Sequence, residues 1–140
     1  MQETLYERLG GIFAIAAIVN HFSDALITNP VVGQHSANKA LADWHNNSLA
    51  NLPGLKWMRT LWVASITGGP YTYVGTKPDA SPLGLQNAHA RFKITSEEFD
   101  AVAGELLKTL KIGKVGDKEI QEVMGAFAAH KNEVIAGSKI

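Results

Sequence analysis

Five histidines, His21, His35, His45, His89 and His130, are the side chains of this sequence that change charge near neutral pH. A histidine usually sits at the surface or makes a single hydrogen bond, and His89 has the setting that asks for more. It lies in GLQNAHARFKI, Gly84 to Ile94, where Leu85, His89 and Phe92 stand four and three apart and share one face of a short amphipathic helix. An imidazole on that buried side needs a hydrogen-bond partner, a metal or an exit to water. Other chemistries find little support. No His-Glu-x-x-His or carboxylate-x-x-His arrangement occurs, which speaks against a zinc protease or a di-iron bundle. No Gly-x-Ser-x-Gly elbow or Gly-Lys-Ser/Thr phosphate loop is present, and Gly68-Gly69-Pro70 reads as a helix stop. Trp57, Trp62 and Phe92 have the types to line a ligand pocket, although aromatic residues at helical spacing more often fill a core.

The chain that must position these residues has 140 of them, consistent with one domain over 1–140 that buries a core without staples. Thirteen basic and thirteen acidic residues cancel, and no Lys/Arg stripe appears, so no nucleic-acid partner is expected. The absence of cysteine removes disulfides, thiolate metal sites, thiol nucleophiles and thioether attachment of haem through Cys-x-x-Cys-His. MQETLYERLGG carries no basic segment leading into an apolar one, and no apolar run reaches the ~18–20 residues of a membrane span. The expectation is a cytoplasmic protein with no membrane partner.

The spacing predicts helices throughout and no strand. Thr4 and Glu7 fit a capping box that opens a short helix, stopped by Gly10-Gly11. Ile12, Ile15, Ala16, Val19, Phe22 and Leu26 form the buried stripe of a second helix, Ile12–Leu26, closed by Asn29-Pro30. From Val31 to Asn51 no period persists, and a long connection with one helical turn around Lys39–His45 is predicted. Pro53 opens a third helix with a stripe of Leu55, Met58, Trp62 and Ile66. Tyr71–Ala80 reads as loop, and Ser81-Pro82 starts the short helix bearing His89. Thr95 and Glu98 make another capping box, ahead of a stripe of Phe99, Val102, Ala103, Leu106 and Leu110. Asp117 caps a last helix lined by Ile120, Val123, Met124, Phe127 and Val134. The fold class is all-α, one layer of helices on another.

Such a chain can build a pocket for a flat apolar cofactor. Haem needs one axial nitrogen, apolar helix faces and a few cations for its propionates. The segments TLYERLGG, FSDALITNP, GGPYTYVG and NAHARFKITSEEFDAV, in this order, resemble the truncated haemoglobins of the first group over nearly the full chain. The resemblance implies a truncated globin fold, a two-over-two helical sandwich around haem b. It implies His89 as the proximal iron ligand, in an Ala-His step before the Ile-Thr that opens the next long helix. Phe22, Leu85 and Phe92 would then contact the cofactor, and Leu55, Met58, Arg59, Trp62 and Val63 would take the distal-facing positions.

The distal side departs from that family and marks a divergent branch. The family usually follows the second-helix Phe with a Tyr whose hydroxyl bonds to the gas, and here Phe22 is followed by Ser23. The family's wedging Phe falls at Ser36, beside His35, and a Gln is common where Arg59 stands. Arg59 is expected at the haem edge, because burying its charge is costly unless paired. The connection before Pro53 and the Lys77–Pro82 loop are longer than usual.

The resemblance implies a haem protein that binds dioxygen, nitric oxide or carbon monoxide, with nitric oxide dioxygenation as the suggested activity and peroxidase-like chemistry on the side. No flavin or nicotinamide motif is present, so an external reductase is an expected partner. Monomer or weak homodimer is the expected state. Two other classes stay open: a haem sensor or electron carrier with protein ligands on both faces of the iron, and a helical interaction domain without haem.

Overall fold

Thr4 does at the N-terminus what its position predicts. In the computed structural model, which describes residues 3–70 and 94–132, its Oγ1 accepts the Glu7 N–H at 3.1 Å and donates to the Glu7 carboxylate at 3.3 Å. These bonds start helix α1, Leu5–Arg8. Gly10, at φ +104, then turns the chain into α2, Gly11–Ile27, a conformation that suits glycine and few other residues. Along α2 the three-four spacing buries Ile15, Val19, Phe22, Ser23 and Leu26. Beyond the helix end the side chain of Asn29 organises the turn that follows. Its Oδ1 accepts the N–H groups of Val31 and Val32 at 2.8 and 3.2 Å, and its Nδ2 donates to Glu105 at 2.9 Å.

The stretch expected to hold one helical turn instead carries a nine-residue helix, α3, Lys39–Asn47. Asn38 starts it by accepting the Ala40 and Leu41 N–H groups, at 3.1 and 3.4 Å. Its buried face is Leu41 and His45, four apart. The period escaped notice because its second buried position is a histidine. A 3₁₀ turn, Leu49–Asn51, leads into α4, Leu52–Ile66, with Pro53 in the first turn.

Helix α4 lies antiparallel on α2. Lys56 Nζ meets Asn20 and Asp24 at 2.8 and 2.7 Å, and Ala64 joins Ile15 and Val19 in one buried cluster. At the far end the Tyr6 N–H donates to the Thr67 carbonyl at 2.8 Å. Helix α5, Ser96–Ile112, opens on the full capping box of Thr95 and Glu98. Helix α6, Asp117–Ala128, packs against it. Its cap position is Gly116, with no side-chain cap bond, so Asp117 is the first helical residue instead of the expected cap. The negative charges of Asp117 and Glu119 still complement the helix dipole from the first turn.

The main core joins the layers: Phe22 and Leu26 of α2, Val32, Leu41 of α3, Leu106 and Leu110 of α5, and Ile120 and Val123 of α6. Arg8 fastens α1 to α6 through Glu119 and Glu122, at 2.9 and 2.6 Å. Among the described residues there is no strand, and no helix is long and apolar enough to cross a membrane.

Candidate functional site

Helix α4 presents two faces of different character. The face on α2 is narrow and small: Thr60, Ala64 and, just beyond the helix, Thr67 are buried there. Small side chains let two helix backbones approach closely. The predicted stripe of Leu55, Met58, Trp62 and Ile66 is a different face, half-buried, and it packs into neither buried cluster of the described residues. Val63 lies between the two and packs against Ile15, Val19 and Ala64. Sequence periodicity thus found a continuous apolar stripe on this helix, but the face that holds the fold together is the small one beside it.

Arg59 sits at the edge of that stripe and points onto α2. Its Nη1 donates to Ser23 Oγ at 2.9 Å, and the guanidinium carbon lies 5.6 Å from the centre of the Phe22 ring. Ser23 is only 1% exposed, so the guanidinium is turned toward the interior. Burial pushes its pKa down to about 10, which leaves it charged at neutral pH. Among the described residues no carboxylate meets it. A hydroxyl and an aromatic face, instead of a counter-ion, receive it.

His45 is the neighbour that sequence reasoning did not single out. It is buried, its Nδ1 lies 2.9 Å from the Leu41 carbonyl, and the Trp44 ring stands edge-on to it with centroids 5.2 Å apart. Burial is the main cause that lowers its pKa, and the charge of Arg59 adds to it, against the carbonyls of Leu41 and Val32. The four-residue step from Leu41 was the available signal. Ser36 is buried and used locally: it donates to the Val31 carbonyl at 2.6 Å and accepts the Asn38 N–H at 3.0 Å, while His35 is exposed. Trp62 meets His130 edge to face, ring centroids 4.9 Å apart. Phe22, Ser23 and Arg59 are thus brought together. His89, Leu85, Phe92 and the Lys77–Pro82 loop lie outside the described residues.

The bacterial-like globin family model matches residues 4–136. The chain belongs to the bacterial-like globins. The group 1 truncated haemoglobin GlbN of Synechocystis sp. is 28% identical over 134 residues, 94% of this globin and 97% of that protein. Among solved structures, the truncated haemoglobin of Tetrahymena pyriformis superposes with a TM-score of 0.74 at 23% identity, covering 95% of this chain and 98% of that one. The 2/2 haemoglobin of a Synechococcus species, solved in the cyanomet state with covalently attached haem, gives 0.75 at 22% identity and covers 96% and 99%. These likenesses make the fold the two-over-two truncated globin fold.

The residues present suit the prosthetic group a globin implies. A flat apolar ring needs large apolar side chains that the core does not use. Leu55, Met58, Trp62 and Ile66 are such side chains.

Proposed function

We propose that this globin binds haem b, with His89 as the protein ligand of the iron, and that it takes up a diatomic gas: dioxygen, nitric oxide or carbon monoxide. The observation that carries this reading is the half-buried apolar stripe of α4 beside an inward-turned guanidinium, in a chain of the globin family. When bound, haem supplies an iron with a free coordination position and the means to exchange electrons. The chain supplies the rest. Leu55, Met58 and Trp62 keep water out, Phe22 and Ser23 hold the Arg59 guanidinium in one orientation, and Arg59 offers N–H donors to a polar ligand. A neutral His45, turned to a carbonyl, leaves Arg59 as the charge of this region.

Nitric oxide dioxygenation is the reaction this reading favours. One dioxygen, one nitric oxide and one electron give one nitrate, and the electron must come from an external reductase, since the chain carries no flavin or nicotinamide motif. The chain has no cysteine, so a thioether link to the cofactor is excluded. A monomer or weak homodimer in the cytoplasm completes the reading.

The absorption spectrum of the purified protein tests it. A Soret band of a five-coordinate or water-bound ferric haem is expected, and His89→Ala should lose haem or regain its spectrum only with added imidazole. An unchanged spectrum in that variant would overturn His89, and a low-spin spectrum with two protein ligands would overturn the open gas site.

A further inference from the structure

Arg59 is more heavily charged than a site for a neutral gas requires. Of its five N–H donors, the hydroxyl of Ser23 takes one, and the ring of Phe22 covers part of the plane. Carboxylates of α2 and α5 are committed elsewhere: Asp24 pairs with Lys56 at 2.7 Å, Glu98 caps its own helix, and Glu105 holds Asn29. Lys56, one turn earlier, therefore adds no net charge, and His45 is held neutral by burial. What remains is one cation, turned inward, with donors to spare and no counter-ion among the described residues. A guanidinium of this kind, with its charge and its free N–H donors, recognises a small anion far better than a neutral diatomic. Ser23 has a further part in this. Its side chain is small enough to leave space for the guanidinium, and its oxygen fixes the fork's direction.

We propose that Arg59, positioned by Ser23, makes the ligand pocket selective for small monoanions, with nitrite and fluoride as the class members to test. The proposal rests on the haem reading above, since the anion would bind at the ferric iron. Ferric wild type, Arg59→Met, Arg59→Gln, Arg59→Lys and Ser23→Ala are titrated with fluoride and with nitrite at pH 8, where His45 is neutral, and followed by absorption. Ferrous proteins are titrated with carbon monoxide as the neutral ligand. Both neutral variants should bind the anions at least about tenfold more weakly and carbon monoxide at most about threefold more weakly. Arg59→Lys should recover part of the loss because it keeps the charge, and Ser23→Ala should weaken the anions by a few-fold because the fork loses its anchor.

Urea unfolding of the haem-free proteins is the second readout. Arg59→Met should unfold at an equal or higher urea concentration than wild type, because a charge kept for a ligand costs stability when no ligand is present. A lower midpoint would make Arg59 a structural clamp and overturn the proposal. So would equal anion affinities in wild type and both neutral variants, with the haem reading left standing. A chain that shows no Soret band overturns the haem reading, and this proposal with it.

Discussion

Arg59 of α4 donates to Ser23 of α2 at 2.9 Å, across two helices that pack against each other. The bond gives a reason for the small residue at position 23. A larger side chain there would occupy the space into which the guanidinium turns, and Arg59 would have to leave for solvent. The serine and the arginine are thus one arrangement, although the sequence presents them as two unrelated departures, 36 residues apart.

Ser23→Tyr should expose this coupling. Ser23 is fully buried, so the added ring must displace the guanidinium, and overpacking of this kind costs roughly 1–3 kcal/mol. Urea unfolding of the single variant and of Ser23→Tyr combined with Arg59→Met measures it. The double variant should recover part of the loss, because its flexible, uncharged side chain yields space to the ring. If the two losses simply add, the residues do not share a space.

His45 predicts an acid limb in the stability profile. Burial lowers its pKa in the folded protein, while the unfolded value is about 6.5. Between these two values the unfolded chain binds more protons than the folded one, so stability falls as the pH drops. The contribution is complete above about pH 6.5 and is lost progressively as the pH falls toward the folded pKa. His45→Gln should flatten this slope in urea midpoints measured from pH 8 to pH 5. A slope equal to that of wild type would place the acid sensitivity elsewhere.

Helix starts and apolar stripes were legible in the sequence because they depend on residues within one or two turns. Thr4, Asn29 and Thr95 behave as their neighbours imply, and α2 and α5 bury the stripes that their spacing marks. What escaped was set by contacts far apart in the chain. Asn38 starts α3, yet its Nδ2 is also held by Glu98, 60 residues away, at 3.2 Å. Periodicity could find the stripe of Leu55, Met58, Trp62 and Ile66, but whether a stripe faces core or cofactor depends on what the other helices cover. For Arg59, the cost of burying a charge argued for the edge, and only the fold shows that Ser23 and Phe22 receive it.

The Glu98 carboxylate ties two helix starts, accepting the Thr95 N–H at 2.9 Å and the Asn38 amide at 3.2 Å. Asn38 in turn caps α3. Glu98→Ala should therefore cost more than the usual ~1 kcal/mol of a lost cap, up to roughly 2 kcal/mol, because two part-buried donors lose the same acceptor. Amide hydrogen exchange should quicken at Ala40 and Leu41 of α3 as well as at the start of α5. Faster exchange in α5 alone would show that the Asn38 contact adds nothing.

Two glycines should respond to the same substitution in opposite directions. Gly69 belongs to the pair that ends the α4 segment, and a Cβ there would lie 2.6 Å from the Tyr6 ring and 2.8 Å from the Ala64 carbonyl. The ring would have to turn away, and the Ala64 carbonyl is held in place, because it accepts the Gly69 N–H at 2.8 Å. Gly69→Ala should destabilise the protein by roughly 1–3 kcal/mol, the range for inserting volume into a packed site. Gly125 lies exposed within α6, and no described atom comes within 4 Å of the Cβ position. Alanine there removes the backbone freedom that glycine loses on folding and should stabilise by about 0.4–1 kcal/mol. Urea midpoints of both variants settle the pair. A neutral Gly69→Ala would mean that Tyr6 can leave its place without cost, and the joint between α1 and the end of α4 would then contribute nothing to holding the α2–α4 layer.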